Sequence, residues 1–322
     1  MVLRSGGDAY PRAVDGGGDD LGRFPLAPKT EMTSYPAQPA NPAVLGTVDW
    51  LHPDVRLITC NTWDQFQRPT SCCSGMLFRG QRDPGWGLVS AWDRDARHIW
   101  EFVRHGGKIT DGFADGGYQM NRDRYWHHFK LRYSAVTGDS IALPNTDDDW
   151  GTLGRHYGLI APILDWTECP YVAAYFALVD SAQWTCDKSL SEDEENRRRT
   201  ERRWVVVWRL NTNDLPAADL LVVDRWVDSA RQRAQKARFT RIMDFEHRDL
   251  IQLLRARKCL DRLVAILIAA PNREAFDDLH DELGIHHGTL FPDEFGAAMY
   301  ANLREIVKPE TLGEITGDPR WR

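Results

Sequence analysis

The chain lacks any apolar run of 18 residues, which excludes a membrane-spanning helix by the simplest length criterion. It also lacks a C-x-x-C pair and any set of histidines at zinc-ligand spacing. Cys72 and Cys73 are adjacent, a poor geometry for a bridge or a metal, and with Cys60, Cys169, Cys186 and Cys259 they read as reduced thiols. His127-His128 and His286-His287 are adjacent as well, so their side chains diverge and no metal site is expected. An excess of basic residues is absent too. The net charge of −7 argues against a mainly electrostatic grip on nucleic acid, although a local basic groove remains compatible with it. The start of the chain carries Gly16-Gly17-Gly18-Asp19-Asp20 and no apolar signal core, so a cytoplasmic location is expected.

What is present is ordinary globular material: 322 residues, 42% hydrophobic and 27% charged, enough to bury a sizeable core. Thirteen tryptophans is a high count, best spent on core and edge positions, with some free to stack on a planar ligand. Residues 1–46 are rich in Gly, Pro, Ser and Asp without apolar period and read as a disordered or loosely packed arm. Residues 47–322 are expected to form one domain with helical insertions and C-terminal helices. Strands are expected at 55–58, at Gly75-Met76-Leu77-Phe78-Arg79-Gly80, at 204–210 and at 264–268. The last two are apolar except for Arg209 and so belong at the centre of a sheet. A helix should open at Pro170, with Thr167 or Glu168 facing its free N–H groups. Further helices are expected at 93–104, 122–133, 248–257 and 277–283, and a last one ending near 307. The stretch 106–117 reads as a glycine-rich loop, Asp147-Asp148-Asp149 as a solvated turn and 189–203 as a solvated charge run. The fold class is α+β, a mixed and mostly antiparallel central sheet flanked by helices.

Several side chains stand where chemistry is plausible. Arg79 follows apolar residues on a buried strand, beside a glycine, Gly80, that permits close approach; its planar fork suits a phosphate, or an internal salt bridge with Asp165. His156 and Tyr157 offer an imidazole for a ribose hydroxyl and a ring for a base, with core packing as the plainer use of Tyr157. Thr167 caps a helix, contacts a ligand, or does both. Gln235 is either an orienting amide or a surface side chain.

Phe78-Arg79-Gly80, then His156-Tyr157-Gly158 with Leu164-Asp165-Trp166-Thr167, Pro170 and Tyr175-Phe176-Ala177, resembles the FRG-domain family. Gln235 with Phe239-Thr240, and Leu283-Gly284-Ile285 with Leu290-Phe291-Pro292-Asp293, are similar to its later blocks. Departures occur: Arg155 stands where the family often has glutamine, Ala161-Pro162-Ile163 where it has proline-threonine-arginine, and Lys236 where a glycine follows the third-block glutamine.

The order of a strand-borne arginine, a Ser/Thr at a strand-to-helix junction and a late Gln/Glu is also similar to that of ADP-ribosyltransferases. That resemblance implies an ADP-ribosyltransferase-like fold and NAD as substrate. Arg79 and Gly80 would hold the pyrophosphate, His156 and Tyr157 would frame ribose and nicotinamide, Thr167 would support the strand beside the cofactor, and Asp165, Glu168 or Gln235 would act on the ribosyl cation. The implied activity is ADP-ribosyl transfer to a protein or nucleic acid in toxin or antiviral (phage) defence, with a neutralising or regulatory partner. A non-catalytic nucleotide- or RNA-binding sensing module is the other reading. A metal-dependent nuclease would need clustered acids, which the sequence does not assemble.

Overall fold

The structure is a computed structural model that describes residues 52–70, 75–94, 113–137, 144–155, 157–185, 203–223, 229–244, 246–270 and 272–307. The arm expected at 1–46 and the charge run at 189–202 lie outside the described residues, as do His156 and most of the helix expected at 93–104.

Among the described residues, seven strands form one mixed sheet: β1 (Arg56–Cys60), β2 (Met76–Gln81), β3 (Leu164–Thr167), β4 (Arg203–Asn211), β5 (Leu220–Val223), β6 (Ala237–Ile242) and β7 (Leu263–Ala270). Their order is β1-β7-β4-β2-β3-β6-β5, with β1 parallel to β7 and the other neighbours antiparallel. The uninterrupted apolar runs behave as expected. Every residue of β7 is buried, and β4 lies between β7 and β2. A strand covered on both faces needs no polar alternation.

The helices divide between the two faces. On one side α4 (Pro170–Thr185) packs Val172, Ala173, Tyr175 and Ala177 against Phe78, Val205 and Val207. On the other, α6 (Leu250–Ala256) packs Leu250, Leu253 and Leu254 against Leu77, Val206, Trp208 and Leu210. Alternation along β2 therefore sends Phe78 toward one layer and Leu77 toward the other. The remaining helices are α1 (Trp63–Thr70), α2 (Phe113–Thr137), α3 (Asp147–Arg155), α5 (Ala230–Ala234), α7 (Arg273–Asp277), α8 (His287–Leu290) and α9 (Glu294–Val307).

Two local expectations need correction. The glycine-rich stretch is not loop to its end, because α2 already begins at Phe113 and includes Gly116 and Gly117. Asp147-Asp148-Asp149 is the first turn of α3 and not a free turn. Thr146 and Asp149 form a reciprocal cap: the Asp149 N–H donates to Thr146 Oγ1 and the Thr146 N–H to Asp149 Oδ2, each at 3.2 Å. The three carboxylates also meet the positive end of the helix dipole, which favours acids there. Two of them are paired as well, Asp147 with Lys130 at 2.6 Å and Asp148 with Arg241 at 2.5 Å.

Candidate functional site

Arg79 lies on β2, fourth of the seven strands. Its Nη1 donates to the main-chain carbonyl of Asp165 at 2.7 Å and stands 3.7 Å from that residue's Oδ2. Its Nε is buried and has no hydrogen-bond partner among the described residues. Loss of hydration lowers the guanidinium's pKa from arginine's ordinary value; Asp165 opposes that shift, while the charges of Arg155 and Arg94 add to it.

Arg155, at the end of α3, holds Asp165 more firmly. Its Nη2 reaches Oδ2 at 2.8 Å and its Nε reaches Oδ1 at 3.3 Å, a two-pronged contact, while Nη1 donates to the Leu159 carbonyl at 3.2 Å. Two guanidinium groups thus converge on one carboxylate, with Arg94 close enough to act on the first. The internal salt bridge read as one option for Arg79 exists, and it is shared. Sequence reasoning noted Arg155 only as a departure from a family pattern. The available signal was a cation in the last turn of a helix, where it is favoured.

Gly80 is used differently from the expectation of ligand access. A Cβ built there would fall 1.9 Å from the Ala173 carbonyl oxygen, so the glycine admits the backbone of α4 against the sheet. Gly158, with φ +88°, ends α3 in a Schellman turn. The Leu159 N–H donates to the Gly154 carbonyl at 2.9 Å and the Gly158 N–H to the Arg155 carbonyl at 3.2 Å. Leu159 folds back onto Gly154, where an added Cβ would meet its Cδ2 at 2.3 Å. This turn presents Tyr157, 62% exposed, to solvent, which removes core packing as its use. The Arg231 guanidinium lies over the Tyr157 ring at 5.5 Å and over Phe291 and Phe295 at 5.4 Å each, and pairs with Asp293.

The segments that carry the sequence blocks meet around Thr167. Phe78 on β2 pairs with Thr167 on β3. The Thr167 hydroxyl donates to the Gln235 main-chain carbonyl at 2.7 Å and accepts from the Cys169 N–H at 3.0 Å. The second of these bonds falls on the residue just before α4. Gln235 is buried at the C-cap of α5, where its Nε2 donates to the Leu290 carbonyl at 3.1 Å. It is not a surface side chain. Glu168 pairs with Arg238 at 2.8 Å. The structure brings Arg79 and Asp165 together, and Thr167 and Gln235 together.

Two other clusters were not anticipated. Tyr175 Oη and His287 Nδ1 share a buried hydrogen bond of 2.8 Å, and the His287 main-chain N–H donates to the same oxygen at 3.0 Å. Burial drives the His287 pKa down to about 4 and raises that of Tyr175. Among the described residues, Asp244, Glu246 and His247 come close enough to hold a metal ion together. Asp244 is already engaged there by Arg257 at 3.0 Å and His247 at 2.9 Å. No helix among the described residues is long and apolar enough to cross a membrane.

Comparison with known proteins adds one match. Residues 74–186 match the FRG domain, so the chain carries that domain over β2, α2, α3, β3 and α4. The Gln235 and Leu290 segments lie beyond the matched span. Neither the curated proteins nor the solved structures contain a match to the chain.

Proposed function

We propose that the FRG domain carried over residues 74–186 binds NAD and transfers its ADP-ribose to a protein or nucleic acid, as a toxin or antiviral (phage) defence factor. The observation behind this reading is the grouping of Arg79, Arg155 and Arg94 with Asp165: three guanidinium groups and one carboxylate. A pyrophosphate matches that imbalance in charge and in the planar geometry of the donors. Exposed Tyr157, two residues beyond Arg155, suits a base or nicotinamide ring. In the reaction the bond from ribose C1′ to the nicotinamide nitrogen breaks and its electron pair leaves with nicotinamide. The acceptor's nucleophile then attacks C1′ and gives up its proton. Positive charge grows on the ribose during this step, so a nearby carboxylate lowers the barrier, and Asp165 is the candidate beside Arg79. Glu168 is the alternative acid; Thr167 and Gln235 serve by fixing β3 and the entry to α4.

A second reading, a nucleotide- or RNA-binding sensing module without turnover, is favoured by the pairing of Asp165 with Arg155 and of Glu168 with Arg238. Labelled NAD incubated with the protein and a cell lysate separates the two. Transfer predicts labelling of a macromolecule and release of nicotinamide, both lost in Arg79→Ala, with Asp165→Asn retaining ligand but losing turnover. Binding without nicotinamide release, from folded wild-type protein, would leave the sensing module.

A further inference from the structure

We infer that the Asp165 carboxylate is a built-in occupant of an anion site on Arg79 and Arg155, and that a diphosphate-bearing ligand enters by displacing it. The inference rests on the binding half of the reading above and concerns how that site is regulated. Asp165 is the most exposed of the three side chains, at 37% against 17% for Arg79 and 22% for Arg155. The carboxylate is therefore the member of the group most open to solvent, and so to exchange with a dissolved anion.

Its departure leaves both cations in place. Arg79 keeps its 2.7 Å bond to the main-chain carbonyl of residue 165, and Arg155 keeps the Leu159 carbonyl at 3.2 Å. These anchors belong to backbone and do not move with the side chain. The carboxylate is also a poor match for Arg79, standing 3.7 Å from Nη1 and leaving the buried Nε without an acceptor among the described residues. A carboxylate has two oxygens to share between two forks. Free pyrophosphate has six non-bridging oxygens and the pyrophosphate of a dinucleotide has four, in either case enough to serve Arg155 on two prongs and still reach Arg79.

The occupied site has a functional sense. With the carboxylate in place the cations are neutralised in part and present less attraction to stray monoanions and monophosphates. Only a ligand carrying more charge than the carboxylate competes well. The same side chain is then freed by the ligand that needs it.

Calorimetric titration of wild-type protein, Asp165→Asn and Asp165→Glu with inorganic pyrophosphate, and in parallel with ADP, tests this. The Asn variant should bind at least about tenfold more tightly than wild type, and the Glu variant should stay within a few-fold of wild type. Pyrophosphate and ADP each showing the gain would assign it to the shared diphosphate; a gain with ADP alone would assign the site to nucleotides. Equal or weaker binding by a folded Asn variant, with wild type binding, would overturn the displacement while leaving the binding reading intact. No binding of either probe to any folded form would overturn both. Should Asp165→Asn fail to fold, a crystal of the wild-type protein with pyrophosphate decides. The carboxylate swung away from Arg155 supports displacement, and the carboxylate still paired beside bound pyrophosphate refutes it.

Discussion

The hydroxyl of Thr167 donates to the main-chain carbonyl of Gln235, 68 residues further along the chain, at 2.7 Å. Both groups are buried, and the same oxygen accepts the Cys169 N–H at the approach to α4. One side chain thus closes the end of β3, the cap of α5 and the entry to a core helix.

Replacing Thr167 with valine keeps the shape and removes both bonds. A buried carbonyl and an N–H then lose their partner, for a cost of about 1–3 kcal/mol. Serine keeps the hydroxyl and gives up one methyl, so its cost should stay below about 1 kcal/mol. Urea unfolding of the two variants makes the comparison. A valine variant as stable as wild type, beside a destabilised serine variant, would show that the methyl group, and not the hydroxyl, fixes this junction.

Gly80 and Gly158 should respond to alanine for different reasons. At Gly80 the new methyl meets the backbone oxygen of Ala173 at 1.9 Å, so α4 must move off the sheet, costing about 3 kcal/mol. At Gly158 nothing among the described residues lies within 4 Å of the new methyl, and the left-handed conformation at φ +88° resists, for about 1–2 kcal/mol. The sign of the contrast is checked by thermal unfolding of the two variants. A Gly158→Ala variant less stable than Gly80→Ala would contradict the close approach of helix and strand.

His287 makes stability depend on pH. In the folded protein burial holds its pKa at about 4, with His286 adding to the shift, against 6.5 for the free group. Between these values the unfolded chain binds more protons, so stability falls as pH drops from 6.5 toward 4 and is level above 6.5 on this group's account. The slope is at most about 1.4 kcal/mol per pH unit, and less where solvent reaches the ring. His286, also lowered by burial and by Arg304, acts in the same direction. Denaturant midpoints between pH 7 and 5 should fall less steeply in His287→Gln. An unchanged slope would assign the dependence elsewhere.

Much of the sheet was legible because its central strands are written as apolar runs. Trp204 to Trp208 and Leu263 to Ala270 admit no polar face, and Pro170 after Thr167 marks a helix start plainly. The reasons for particular residues were less legible. Gly80 looked like room for a ligand, because nothing local says that a helix 93 positions away presses its carbonyl on that spot. Arg155 looked like a deviation until Asp165 was placed beside it. Tyr175 and His287 are 112 residues apart, and no periodicity joins them. Asp147-Asp148-Asp149 was misread because a charge run and a helix start share a composition, and only the Thr146 cap separates them. Local pattern reports the element, while the partner of a polar group is set by chain crossings that the pattern does not contain.

Among the described residues, the matched span 74–186 contains β2 and β3 of the sheet, and these pair with each other at a single position, Phe78 opposite Thr167. Each finds its long partner elsewhere, β2 along β4 from Met76 to Gln81 and β3 along β6 from Leu164 to Thr167. A fragment cut to the matched boundaries would therefore display two bare strand edges beside the apolar face of α4, a recipe for intermolecular pairing. On the ribosome the same geometry delays closure: the first half of the sheet waits, half-zipped, for strands synthesised after residue 200, which favours slow folding of high contact order. The unit recognisable by sequence is smaller than the unit that folds.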